Sequence, residues 1–86
     1  MSDTITQQIR EELAAVLGCE PGELAGDANF DDLGLDSVFG ITFMQRINLR
    51  LGVGEPLDLT AQVQTIDALA AHLTEVIGDV TAGGVR

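Results

Sequence analysis

The sequence has few of the residues on which several kinds of site depend. In 86 residues it contains one cysteine, Cys19, one histidine, His72, and neither tryptophan nor tyrosine. A lone cysteine excludes an internal disulfide, and one cysteine with one histidine is too few for a metal centre, so we expect none. We expect Cys19 to be a small, half-buried residue just after a helix. Three phenylalanines cannot supply the stacking platforms that single-stranded nucleic acids use.

Basic residues are also scarce. Four arginines and no lysine face fourteen acidic residues, which gives a net charge of -10. Such a surface repels phosphate backbones and anionic membranes. The sequence has no basic and apolar leader and no apolar run long enough to cross a bilayer. We therefore expect no nucleic acid or membrane partner, a cytoplasmic location and a monomer.

What the chain does have is a large share of aliphatic residues at helical spacing. With 45% hydrophobic residues it can build one small, mostly aliphatic core. No strand-like alternation or repeat appears, so we predict an all-α, small four-helix bundle with a long first loop and a short third helix. The domain is 1–86, with an ordered core over 4–78 and a flexible tail over 79–86. The predicted helices are 4–17, 37–51, 59–63 and 66–77. Thr4 and Gln7 form a predicted capping box for the first helix, and Thr65 is the predicted cap of the last. The predicted helix ends are marked by Gly18, by Gly52 and Gly54 followed by Pro56, and by Gly78.

The loop from Cys19 to Asp36 contains glycine and proline residues that favour turns, but we do not interpret it as a flexible linker. The loop contains four apolar residues that stabilise the fold only if they are buried: Leu24, Phe30, Leu33 and Leu35. We therefore predict an ordered loop that packs on the helices.

The run from Asn29 to Val38 reads N-F-D-D-L-G-L-D-S-V. Asp36 and Ser37 stand at the start of the second predicted helix, where capping of unpaired backbone N–H groups is their commonest role. The longer string, however, resembles the attachment motif of acyl and peptidyl carrier proteins, with the pattern L-G-x-D-S-[L/V]. The resemblance covers about residues 4–77.

This resemblance implies a function. The matching serine, Ser37, would carry a covalent 4'-phosphopantetheine transferred from coenzyme A by a phosphopantetheinyl transferase, and Asp36 is the matching acid. The arm would hold acyl groups as thioesters for an acyltransferase, a ketosynthase or other synthase enzymes. The chain would then be a cosubstrate with no catalytic residues of its own. A phosphodiester at this place would also lie beside the positive end of the helix dipole.

The second predicted helix indicates which carrier this is. Gly40, Phe43, Met44, Ile47 and Leu51 share one arc, which we assign to the core. No acidic residue lies between Ser37 and Leu51, whereas fatty-acid carriers show several there. We therefore favour a discrete acyl carrier of polyketide or related specialised-metabolite biosynthesis, recognised mainly through apolar contact. The predicted partner-binding residues are Val38, Phe39, Ile41, Thr42, Gln45, Arg46 and Leu49.

Three alternatives stay open. A peptidyl carrier of nonribosomal peptide synthesis would show the same attachment motif. A non-catalytic acidic interaction module would have the helices but no arm. A hydrolase could use Ser37, Asp36 and His72, but a triad places its histidine between nucleophile and acid, whereas here the acid and the serine are adjacent. We expect His72 to be a partly exposed residue on the last helix.

Overall fold

A computed structural model describes residues 2–85 of the chain, with side chains from residue 4 to residue 77. It contains three α-helices, α1 (Ser2–Leu17), α2 (Ser37–Leu51) and α3 (Ile66–Val85). Two 3₁₀ turns, Pro21–Glu23 and Leu59–Ala61, interrupt the connections. The predicted all-α bundle is confirmed, and the short third helix is the second of these turns. The first turn, inside the long loop, was not predicted.

The core lies between the three helices, because α1 packs against both α2 and α3. No polar or charged residue among the described side chains is buried, so apolar contact alone fills this core. Each helix contributes residues at three- and four-residue spacing, as an amphipathic helix must. The fully buried large side chains are Ile9, Leu13, Phe43, Met44, Ile47, Ile66, Leu69 and Leu73.

The long loop packs into the bundle, as predicted. Leu24, Phe30 and Leu35 are buried, and the Phe30 ring meets the Phe43 ring edge to face at a centroid distance of 5.8 Å. The Phe30 N–H donates to the Gln64 carbonyl at 2.7 Å, just before α3 begins. Buried backbone polar groups need such partners. The loop is therefore fixed to the start of α3 by both side-chain packing and hydrogen bonding.

Local signals placed several helix ends correctly. Gly18 and Gly52 adopt φ values of 74° and 68°, the left-handed conformation in which glycine ends a helix at no steric cost. The Thr65 hydroxyl accepts a hydrogen bond from the Ala68 N–H at 3.0 Å, so this predicted cap is confirmed.

Two other predicted ends are wrong. Helix α1 begins at Ser2, so Thr4 lies inside the helix and does not form a capping box with Gln7, whose side chain contacts Glu11 instead. Helix α3 continues through Gly78 to Val85. A glycine that keeps helical dihedral angles lowers helix stability by about 1 kcal/mol but does not end the helix. The mobility of the tail stays a prediction, and its last residue, Arg86, lies outside the described residues.

The segment between α2 and the second 3₁₀ turn is attached to two helices. The Asn48 side chain bonds both the N–H and the carbonyl of Glu55, each at 3.0 Å. The Glu55 carboxylate meets His72 Nε2 of α3 at 2.6 Å. His72 is 38% exposed, which confirms its expected position at the edge of the last helix.

Gly40 sets how closely the second 3₁₀ turn approaches α2. A Cβ atom built on this buried glycine would lie 2.9 Å from the Thr60 hydroxyl oxygen. Glycine in mid-helix is intrinsically unfavourable, so its presence here is explained by this contact.

An interhelical ion-pair network joins α1 to α2. Arg46 Nε lies 2.7 Å from Glu12, and Arg50 reaches Glu12 at 2.8 Å and Glu11 at 2.6 Å. The Glu12 side chain is only 13% exposed. Two guanidinium groups therefore face two carboxylates, and the charges of α2 are compensated within the molecule.

The network changes the acidity of its carboxyl groups. Burial of Glu12 opposes ionisation, but hydrogen bonds from Arg50 and Arg46 outweigh it, so the pKa of Glu12 lies below its ordinary value of 4.5. Hydrogen bonds from Arg50 and Gln7 also lower the pKa of Glu11. A lowered pKa in the folded state stabilises the protein at pH values above the ordinary value.

We expect the variant Glu12→Gln to be less stable than the native chain at neutral pH, by about 0.5–1 kcal/mol, because both arginine partners are partly solvated. The difference should shrink as pH falls below 4.5 and through the lowered pKa of Glu12, where the native carboxyl takes up a proton. Urea unfolding of both proteins at pH values from 7 down to 2 measures this difference in the free energy of unfolding. A difference that stayed constant down to pH 2 would contradict the prediction.

Candidate functional site

Ser37 is the first residue of α2, and Asp36 is its cap. The Asp36 carboxylate accepts a hydrogen bond from the Phe39 N–H at 2.8 Å, and its carbonyl accepts one from the Gly40 N–H at 2.7 Å. Asp36 therefore has the capping role that its residue type favours. The next residue, Ser37, is exposed at the surface of the bundle.

A tight turn before the cap determines this placement. The Leu35 N–H donates to the Phe30 carbonyl at 2.9 Å, and Gly34 between them has a φ of 94°. Only glycine adopts this conformation without steric cost. The turn directs Leu35 into the core, so that Asp36 and Ser37 follow on the outside.

A cleft of about 380 Å³ opens beside Ser37. One wall is the start of α2, and the other is the segment around the second 3₁₀ turn. Its size is within the range of small-molecule sites. Its lining mixes apolar and acidic side chains: Phe30, Asp31, Leu35, Asp36, Ser37, Ile41, Leu57, Asp58, Thr60, Ala61 and Gln64.

Apart from Asp36, Ser37 and Ile41, the lining residues were not predicted as site residues, and Leu57 and Asp58 are among those missed. They follow Pro56 in a stretch that has no periodic pattern, so the sequence offers only a weak signal, a leucine beside a turn proline. Leu57 is 38% exposed and lines the same cleft as Ile41 of α2.

The exposed face of α2 agrees with the predicted division of the helix. Val38 is 68% and Leu49 85% exposed, and Phe39 and Ile41 are half exposed, with Thr42 and Gln45 also at the surface. On the opposite side, four of the five predicted core residues are buried and Leu51 is partly buried. Arg46 differs from expectation, because its guanidinium is bonded to Glu12 of α1. Whether these residues bind partners stays a prediction.

The ingredients of a hydrolytic triad are not assembled. His72 is hydrogen-bonded to Glu55, and the Asp36 carboxylate caps α2. Within the residues that the structure describes, neither Asp36 nor His72 hydrogen-bonds the Ser37 hydroxyl. Cys19 is half-buried and packs against the core, as expected.

This combination of a small helical bundle, a long ordered loop and an exposed serine at the start of the second helix defines a carrier-domain architecture. The family model described as the phosphopantetheine attachment site matches residues 7–73. The chain therefore belongs to the phosphopantetheine-attachment family, and its cofactor is 4'-phosphopantetheine.

Known proteins agree with this assignment. The chain is 42% identical over 67 residues to Polyketide synthase ThaG of Burkholderia thailandensis, covering 76% of this chain and 1% of that protein. It is 33% identical over 67 residues to Non-reducing polyketide synthase aoiG of Aspergillus oryzae, and this match covers 78% of this chain and 3% of that protein. The chain thus spans only a few hundredths of the length of these synthases.

Among solved structures, the chain is similar to the HMG-ACPI domain from the CurA module of Lyngbya majuscula. The TM-score is 0.87 at 26% identity, with 94% of this chain and 82% of that one covered. Together with the synthase relatives, this confirms an acyl-carrier-like domain and favours the polyketide type over the peptidyl alternative. In the described part of the chain, the helices are too short or too polar to span a bilayer.

The residues around Ser37 fit a covalently attached phosphate arm. The serine oxygen is exposed, and the first-turn N–H groups and the helix dipole favour a negative charge beside it. The cleft also leaves space on one side of the hydroxyl group.

Asp36→Ala should lower the free energy of unfolding by about 1 kcal/mol, because the Phe39 N–H loses its capping acceptor. Asp32→Ala is the matched control. Asp32 is also an exposed loop aspartate, and its side chain makes no hydrogen bond within the described residues. Thermal or urea unfolding compares the two variants. Equal stability of both would show that the cap contributes nothing measurable.

Proposed function

We propose that Ser37 is the phosphopantetheine attachment site and that the chain carries acyl intermediates of polyketide biosynthesis as thioesters. The observation that carries this proposal is the position of the exposed serine at the start of α2, behind an ordered loop, within a family whose defining feature is the attached arm. The polyketide assignment is supported by the synthases to which the chain is similar.

The loading step is a phosphoryl transfer made by a partner enzyme. The Ser37 oxygen attacks the phosphorus that bears pantetheine in coenzyme A and forms the new P–O bond. The pyrophosphate P–O bond breaks, the adenosine bisphosphate leaves, and the hydroxyl proton passes to a base of the transferase. The backbone N–H groups at the start of α2 favour the resulting phosphodiester charge. When bound, the arm supplies a terminal thiol on which acyl groups are held.

The chain itself performs no bond-breaking in this role. It presents substrate to synthase enzymes such as an acyltransferase or a ketosynthase, and it needs only an accessible serine and a stable bundle. We place it in the cytoplasm together with these partners.

Ser37→Ala should abolish loading while the fold is kept. Incubation with coenzyme A and a broad-specificity phosphopantetheinyl transferase, followed by intact mass spectrometry, should show one added arm on the native chain and none on the variant. Ser2→Ala is the matched control, since Ser2 and Ser37 are the two serines of the sequence. The control should load normally. An arm on the Ser37→Ala protein would refute the assignment.

We further propose that synthase enzymes bind the uncharged face of α2. This face is defined by Val38, Ile41 and Leu49 and carries Thr42 and Gln45 between them, with Phe39 and Arg46 at its border. Its apolar side chains are exposed although the chain has 14 acidic residues, and α2 contains none of them. Exposed apolar residues in a row are typical of protein-binding surfaces.

Ile41→Ala or Leu49→Ala should each weaken binding of a synthase enzyme by about 1–2 kcal/mol if the side chain is a buried anchor in the complex. Leu17→Ala, a half-buried leucine on α1, controls for general effects of truncation. The measurement is the KM for the loaded carrier in acyl transfer by an enzyme that accepts the native chain. Unchanged KM values in both α2 variants would contradict the proposed face.

A further inference from the structure

The two arginines of α2 are bonded to α1 through different nitrogens. Arg50 uses both terminal nitrogens, since Nη1 donates to Glu12 at 2.8 Å and Nη2 to Glu11 at 2.6 Å. Arg46 uses Nε, which donates to Glu12 Oε1 at 2.7 Å. Within the described residues, the terminal nitrogens of Arg46 make no hydrogen bond, and its side chain is 48% exposed, against 35% for Arg50. The terminal N–H donors of Arg46 are therefore open to a group outside the bundle.

Glu12 restricts how these donors are presented. A guanidinium group is planar, so a hydrogen bond at Nε limits the positions that the terminal nitrogens can take. The Glu12 carboxylate is itself held by Arg50 and is only 13% exposed. Part of the side-chain entropy that Arg46 would lose on binding a partner is thus already lost on folding.

The hydrogen bonds of the network decide which kind of partner fits. Glu12 accepts from Arg46 on one oxygen and from Arg50 on the other. Glu11 accepts from Arg50 on one oxygen and from Gln7 on the other. Each carboxylate oxygen of the network therefore has a donor already, whereas Arg46 has donors without an acceptor. The group that completes the network is an acceptor, and a carboxylate can take two parallel N–H bonds from one guanidinium.

An exposed leucine lies beside the open donors. Leu49 follows Arg46 by three positions, which places the two side chains next to each other on the surface of α2. Leu49 is 85% exposed, more than any other large hydrophobic side chain in the described part of the chain. Arg46 and Leu49 together, which we call the distal patch, offer N–H donors next to an apolar contact.

We propose that the distal patch binds an acidic side chain of a synthase enzyme, with Arg46 as the donor, Glu12 as the residue that positions it, and Leu49 as the adjacent apolar contact. The inference rests on the proposed binding of synthase enzymes to the uncharged face of α2. It adds the chemistry of the partner at one end of that face, an aspartate or glutamate carboxylate beside an apolar pocket.

The charge balance of the network opposes a basic partner at this place. Two guanidinium groups and two carboxylates leave the cluster without net charge, so a cation gains little attraction from it. A basic side chain would also have to compete with arginines that are already bonded to the carboxylates. A carboxylate displaces nothing, because it binds donors that have no other acceptor within the described residues.

The first test compares Arg46→Gln with Arg50→Gln. Both variants remove one positive charge and part of the network, but only Arg46→Gln removes the open donors. The measurement is the KM for the loaded carrier in acyl transfer by a synthase enzyme that accepts the native chain, at low salt. We expect KM to rise on the order of fivefold for Arg46→Gln and by less than about twofold for Arg50→Gln. Circular dichroism establishes that both variants are folded.

The second test uses Glu12→Gln, for which the expected sign is opposite. The glutamine carbonyl can still accept from Arg46 Nε, while the cluster gains a net positive charge. We therefore expect KM to fall by about twofold at low salt, although the variant is less stable than the native chain. The gain should vanish at 1 M salt, where the screening length is about 3 Å. A merely structural role of Glu12 would raise KM instead.

Three results would overturn the proposal. An unchanged or lowered KM for Arg46→Gln would mean that no carboxylate binds there. Equal rises for Arg46→Gln and Arg50→Gln would mean that only net charge or network stability matters. A KM for Glu12→Gln that is raised at low salt, or unchanged, would exclude Glu12 as the positioning residue of an acid-binding patch.

Failure of the earlier proposals would look different. If synthase enzymes do not bind the face of α2, KM stays unchanged in both Ile41→Ala and Leu49→Ala. If Ser37 is not the attachment site, the arm appears on Ser37→Ala. The distal patch alone has failed when Ile41→Ala raises KM and Arg46→Gln does not.

Discussion

The position of Ser37 depends on the burial of one loop residue, Phe30. Its ring packs on Phe43 of α2, its N–H bonds the backbone just before α3, and its carbonyl receives the Leu35 N–H. These contacts bind the loop to two helices at once. An 86-residue chain has little stability to spare, so a loop that adds to the core also strengthens the fold. The exposed serine is therefore held by a buried neighbour and not by contacts of its own.

The parts of the fold that could be predicted are those with local causes. Helix α2 was placed correctly because Asp36 and Gly52 act on their own immediate backbone. The packing of the loop was predicted correctly because exposure of its apolar residues to water would be unfavourable. The start of α1 and the end of α3 were misjudged. Thr4 and Gly78 are compatible with a boundary, but the same residues are tolerated inside a helix when neighbouring turns continue it.

The site was predictable as far as the motif extends and no further. Ser37 and Asp36 are adjacent in the chain and carry the family pattern. In contrast, Arg46 and Arg50 meet acids that lie 34 to 39 positions earlier, so their pairing follows only from how α1 packs on α2. A reading of α2 alone treats Arg46 as available to a partner. The structure shows that Arg46 is paired with α1, as is Arg50, so the two charged residues of α2 are both compensated within the molecule.

The close approach of Gly40 to Thr60 has a consequence for anyone who recombines carriers. Because a single methyl group at Gly40 would collide with the neighbouring turn, α2 and that turn are fitted to each other as one unit. A chimaera that receives α2 from another carrier, with alanine or a larger residue at this position, would have to rotate the Thr60 side chain or shift the turn, and either change alters the far wall of the cleft, which Thr60 lines. Grafts that exchange residues 37–61 as one cassette avoid the mismatch, whereas exchange of the helix alone does not.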